Sequence, residues 1–104
     1  MTNKVIAKVE QILDTTGGDT GSDKTLYSRD QDLNRLSQVQ FNIGSGDSVV
    51  IEGKLDSSLN YGVIYTATSD VIINVDLPST YRARRTVDGG SADSEVWVKT
   101  FGEY

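Results

Sequence analysis

The chain of 104 residues has no cysteine and no histidine, with a single proline and a single tryptophan. Without cysteine there is no disulfide framework, no thiol nucleophile and no thiolate zinc site. Without histidine the commonest general base and metal ligand is missing too. Catalysis would have to use carboxylate pairs, serine–lysine arrangements or tyrosine, so the expectation is a protein that is not an enzyme and takes no cofactor or metal. Long apolar runs are also lacking. None approaches the ~18 residues of a membrane-spanning helix, and no basic segment followed by an apolar stretch opens the chain, so no signal peptide is expected. Basic residues are in the minority, 10 against 15 acidic, for a net charge of −5. The acidic residues are spread along the chain, which argues against nucleic acid or an anionic membrane as partner.

What is present is alternation. The length suits one domain, 1–104. From residue 37 onward the apolar period is two, the signature of strands. "SQVQFNI" sets Val39, Phe41 and Ile43 against Gln38, Gln40 and Asn42. "SVVIEGKL" sets Val49, Ile51 and Leu55 against Ser48, Glu52 and Lys54. "YGVIYTAT" puts Tyr61, Val63 and Tyr65 on one face, and "VIINVDL" aligns Val71, Ile73, Val75 and Leu77 against Ile72, Asn74 and Asp76. Pro78 closes that strand where no ladder donor is needed. "TYRARRTV" and "SEVWVKTF" follow, joined by "DGGSAD". Short strands at regular spacing with polar turns predict an all-β fold. The expected form is an antiparallel β-sandwich, Ig-like or jelly-roll-like, of about seven strands, with residues 37–101 supplying the core strands.

Residues 1–36 are an N-terminal strand or short helix followed by a long polar loop or arm. In "KVIAKVEQIL" the residues Val5, Ile6, Val9, Ile12 and Leu13 fall at helical spacing. Strand alternation instead groups Val5, Ala7, Val9, Gln11 and Leu13, and the share of β-branched residues leans towards the strand. The following stretch, 14–36, is glycine-rich and polar, with only "TLY" offering a short strand. Connections of this length inside a compact domain are uncommon and are either mobile or held by a partner.

Several constellations have an unremarkable reading that suffices. Asp14, Asp19, Asp23, Asp30 and Asp32 supply oxygen atoms of the kind calcium takes, but their spacing matches no EF-hand loop, and Asp and Gly are ordinary turn residues. Glu52, Asp56, Asp76 and Glu95 lie on strands or their ends. Glycoside hydrolysis needs two carboxylates at a set separation, whereas carboxylates beside Lys54 and Lys99 read as cross-strand charge pairs. The clusters "TGGDTGS" and "IGSGDS" lack the following helix of a phosphate loop.

The remaining signal is "YRARRTVDGGSADSEVWVK". Read as a β-hairpin, it sends Arg82, Arg84, Glu95, Trp97 and Lys99 to one face. One register sets Arg84 opposite Glu95 and Arg82 opposite Trp97. The other sets Arg84 opposite Trp97 and Arg82 against Lys99, a like-charge pair that disfavours it. In either, an arginine lies over the indole. Tryptophan and arginine are enriched at binding hot spots, so these five residues are the candidate interface. The alternative is a tryptophan buried by a loop or by the second sheet, with solvated arginines.

Three segments, in order, resemble a recurring small β-sandwich of tailed-bacteriophage structural proteins: "GDSVVIEGKLDSSLNY", "VIINVDLPSTYRARRT" and "SEVWVK". The resemblance spans residues 37–101. It implies that Tyr81 and Ala83 point inwards and Arg82 and Arg84 outwards. The chain departs from the pattern at Arg85, usually aliphatic, where the inner face is then expected to end, and at Tyr61, where a tryptophan is common. The resemblance implies a virion component assembled in the bacterial host cytoplasm. The expected role is a capsid decoration or cement protein on the capsid exterior, with a head–tail or tail-fibre part as the alternative. The implied partners are further copies of the chain, as a homotrimer, and the major capsid protein. A carbohydrate-binding module or adhesin, with Trp97 as platform, is the rival from composition, and a carboxylate enzyme the second.

Overall fold

The computed structural model describes residues 5–25 and 36–103. Eight strands appear in chain order: β1 (Val5–Asp14), β2 (Lys24–Thr25), β3 (Ser37–Asn42), β4 (Ser48–Lys54), β5 (Gly62–Ala67), β6 (Val71–Val75), β7 (Thr80–Val87) and β8 (Glu95–Glu103). They form two antiparallel sheets of four strands each, in the orders β1-β8-β3-β6 and β2-β7-β4-β5. The fold is all-β, as the alternation predicts, with eight strands among the described residues rather than about seven. The additional one is β2, which overlaps only the first residue of "TLY". Leu26 and Tyr27, like Asp30 and Asp32, lie outside the described residues. Among the described residues no helix is long and apolar enough to cross a membrane.

The pairing follows a simple rule. The first strand pairs with the last, the second with the second-last, β3 with β6 and β4 with β5. The chain is thus a long hairpin folded at residues 55–61. Its rolling adds the pairs β3–β8 and β4–β7.

Inward residues of both sheets make the core. Val39, Phe41, Val49, Ile51, Ala83 and Val96 are wholly buried, and Tyr81, Val98, Ala67, Ile12 and Leu13 nearly so. Burial alternates as read in β3, β6, β7 and β8. Three readings need correction. Leu55 lies in the turn after β4 and is 78% exposed. Val63 faces outward, because the register steps from Ile51↔Tyr65 to Glu52↔Val63 and leaves Ile64 as an extra residue that flips the phase. In β1 the ladder steps from Gln11↔Trp97 to Leu13↔Val96, so Ile12 is the bulge. That bulge turns two consecutive residues, Ile12 and Leu13, into the core and leaves Val9 outside at 62% exposure. The adjacent inward pair Ile12–Leu13 accounts for the end of the helical spacing, whereas Val9, also in that stripe, faces out.

Candidate functional site

β7 and β8 are not a hairpin. β7 lies in the sheet with β2 and β4, and β8 in the other sheet between β1 and β3. Loop 88–94 crosses from one sheet to the other instead of turning back. Neither cross-strand register of Arg82 and Arg84 with Glu95, Trp97 and Lys99 therefore exists. The five residues all point outward, but from opposite faces of the sandwich.

On the face of β2-β7-β4-β5, Arg82 stands opposite Glu52 and Arg84 opposite Val50. Glu52 is only 3% exposed although it points away from the core. Arg82 Nε donates to its Oε1 at 2.8 Å, Arg84 Nε to the same oxygen at 3.1 Å and Arg84 Nη2 to Oε2 at 3.2 Å. The Tyr61 ring lies 4.0 Å from the Arg82 guanidinium and 4.5 Å from Lys54 Nζ, and its hydroxyl donates to Asp23. The expected stacking of arginine on indole is thus stacking on tyrosine, and Tyr61 belongs to this face rather than to the core. Cross-strand charge pairing of Glu52 is with arginines, not Lys54. Burial pushes the Glu52 carboxyl up, but the hydrogen bonds and charges of Arg84 and Arg82 outweigh it and leave the group below its ordinary range.

Glu52→Gln keeps the shape and removes the charge. At neutral pH it is expected to cost about 1–3 kcal/mol, since the guanidinium groups are partly hydrated and regain water. Because the folded form holds the carboxyl low, its stabilisation is present above the unfolded value of about 4.3 and is lost as pH falls below it. Thermal midpoints of wild type and Glu52→Gln should therefore converge as pH drops towards 3. Parallel curves would assign the acid sensitivity elsewhere.

The face of β1-β8-β3-β6 carries Glu95, Trp97 and Lys99. Its ladders build rows across the sheet. Gln11, Trp97, Gln40 and Ile72 form one row. Val9, Lys99, Gln38 and Asn74 form the next, and Asp14, Glu95 and Asn42 the row on the other side. Trp97 is 37% exposed and Ile72 60%, among amide side chains. The tryptophan is not in the core, and no described loop covers it. Gln11 Nε2 donates to Glu95 Oε1 at 2.8 Å.

A third cluster closes one end of the sandwich, and nothing in the local sequence marks it. Asp47 is 2% exposed. It accepts from Gly89 N at 2.6 Å, Ser94 Oγ at 2.7 Å and Arg85 Nη1 at 3.3 Å. Ser94 Oγ in turn accepts from Gly44 N at 2.8 Å. The Gly89 amide and the Ser94 hydroxyl hold the Asp47 carboxyl below its ordinary range against the opposing effect of burial, with Arg85 adding to them. Arg85 also donates to Asp19 Oδ1 from Nε at 2.9 Å and Nη2 at 2.6 Å. The inner face does end at Arg85, as a charged plug. Loops 43–47 and 88–94 touch so closely that a Cβ on Gly44 would lie 2.5 Å from Ala92 O, and one on Gly89 2.2 Å from Ser45 O. These glycines therefore serve loop contact.

The described acidic residues of the first loop, Asp14, Asp19 and Asp23, are each engaged singly. Asp19 holds Arg85, Asp23 accepts from Tyr61, and Asp14 Oδ1 accepts from Thr16 N at 3.0 Å. Among the described residues no group of three or more acidic side chains is placed to hold a metal ion. No protein-family model, curated protein or solved structure matches this chain.

Proposed function

We propose that the chain is a non-enzymatic structural subunit of a virion, which self-associates and binds the capsid exterior as a decoration or cement protein. The observation that carries this reading is the strand order. Pairing first with last through to β4 with β5, rolled into two four-stranded sheets, supports the jelly-roll form of the sandwich. That architecture recurs in viral capsid domains and in lectins. The chemistry agrees with a binding role: Glu52 and Asp47, the carboxylates with displaced acidity in buried surroundings, are both committed to arginines. Neither has a histidine to work with. The major capsid protein is the expected partner on the particle.

The test is the composition of purified particles from the phage whose genome encodes the chain. Mass spectrometry is expected to find it in fixed ratio to the major capsid protein, on tailless heads as well as on whole particles. Its absence from particles, or its presence only in a tail fraction, would overturn capsid decoration. A glycan-binding module is the second reading, favoured by the position of Trp97 among the amides of Gln11 and Gln40.

A further inference from the structure

We propose that the outer face of β1-β8-β3-β6 docks a second copy of this chain, the two faces meeting about a dyad at Trp97 with their β8 strands antiparallel. The inference rests on the assembly reading above and names one of its partners.

The two outer faces differ in how much apolar surface they expose. On the arginine face, Glu52, Arg82, Arg84, Tyr61 and Asp23 satisfy one another within the chain. On the tryptophan face, Val9, Ile72 and Trp97 keep 62%, 60% and 37% of their surface exposed. Surface of this kind, with an aromatic at its centre and amides around it, is what the middle of an interface uses.

Charge then chooses the occupant and its orientation. Glu95 and Lys99 stand on β8 one row to either side of Trp97. Let a two-fold axis lie in the interface, across the strands and through the Trp97 row. Each Glu95 then faces the Lys99 of the other copy, so the pair forms twice. The central row meets itself: tryptophan on tryptophan, Gln40 on Gln40, Ile72 on Ile72. Amides both donate and accept, so facing glutamines are complementary. An axis along the strands would instead set Glu95 on Glu95 and Lys99 on Lys99, and is disfavoured. Gln11 already orients Glu95 through its 2.8 Å hydrogen bond.

The size is adequate for a weak dimer. A face of four strands, about 20 Å wide and 20 Å long, offers about 400 Å² per copy and about 800 Å² in the pair, below the ~1,200 Å² of standard interfaces and in the range of weak, transient ones. Dissociation on dilution through the micromolar range is expected. Such an interface is isologous and closes at two copies, unlike the trimer implied by the phage resemblance.

Sedimentation velocity over a concentration series tests this with three single variants: Trp97→Ala, Glu95→Lys and Lys99→Glu. The wild type is expected to dimerise, and each variant to need at least tenfold higher concentration while keeping its β-sheet circular dichroism. The deciding measurement is a mixture. Glu95→Lys and Lys99→Glu, monomeric alone, are expected to form a one-to-one dimer, and the double variant is expected to dimerise with itself. A wild type that stays monomeric, an oligomer indifferent to all three substitutions, or a trimer overturns the proposal. So does a wild-type monomer whose tryptophan emission saturates with neutral oligosaccharides, which would assign the face to a glycan. If purified heads still bind the monomeric Trp97→Ala protein, the capsid reading survives the loss of the dimer; if wild-type dimers form but bind no heads, the dimer survives alone.

Discussion

Replacing Ser94 by alanine is expected to cost about 2–5 kcal/mol of folding stability. The Ser94 side chain is fully buried. Its oxygen accepts from Gly44 N at 2.8 Å while its proton goes to Asp47 Oδ2 at 2.7 Å. Alanine fits the space but leaves the buried Gly44 amide without its partner, and leaves Asp47 Oδ2 with only the longer 3.3 Å contact from Arg85 Nη1. Each such loss costs about 1–3 kcal/mol, with charged groups at the upper end. Asp47→Ala should destabilise more than Ser94→Ala, because it orphans the Gly89 amide, the Ser94 hydroxyl and one contact of the buried Arg85 together. Against a total of about 5–15 kcal/mol for a domain, either change is severe. Urea unfolding followed by circular dichroism measures both. A Ser94→Ala loss under about 1 kcal/mol would mean that water reaches the site and replaces the hydroxyl.

The same network explains why the chain crosses between sheets where its sequence suggests a turn. Loop 88–94 carries the glycines and polar residues of a hairpin connection, and strands adjacent in sequence pair in most folds. What sends it across is long-range. Gly89 and Ser94 are held by Asp47, which lies in another crossing loop, and the Ser94 amide is held by Thr15 Oγ1 at 2.8 Å from a third. Three loops bonded together at one end fix β1, β3 and β8 in one sheet and β4 and β7 in the other. The three loops lie far apart in sequence, so no local pattern carries the information.

Strands with strict alternation were legible residue by residue. Val39 and Phe41, Ile73, Tyr81 and Ala83, Val96 and Val98 all face inward as read. The two strands with bulges were not. One extra residue, Ile12 or Ile64, reverses the phase of everything beyond it, and neither residue differs from its neighbours in character. The candidate interface was legible in type but not in arrangement. Alternation sends Arg82, Arg84, Glu95, Trp97 and Lys99 outward, while their division between two faces depends on the topology. Glu52 reads as an ordinary strand-surface glutamate, because its burial comes from side chains of β7 and from Tyr61, beyond any local period.

That division has its sharpest consequence in two aromatic residues on neighbouring strands of one sheet. Phe41 stands opposite Val96, and Trp97 opposite Gln40, one position along the same ladder. Phe41 is wholly buried, with the Tyr65 ring centroid 5.7 Å away. Phe41→Ala is expected to lose about 3–5 kcal/mol, because a cavity between two sheets closes only by moving strands held on both sides. At the lower end of domain stability that leaves little folded protein at 37 °C, and the variant should show a lowered urea midpoint even where it still purifies. Trp97→Ala, by contrast, empties space on the outer face and should stay within about 1 kcal/mol of wild type. The larger side chain therefore has the smaller effect on folding, and its loss is read in association. Comparable losses from the two substitutions would mean that Trp97 helps hold the monomer together, and the face would then have no surface to offer a second copy.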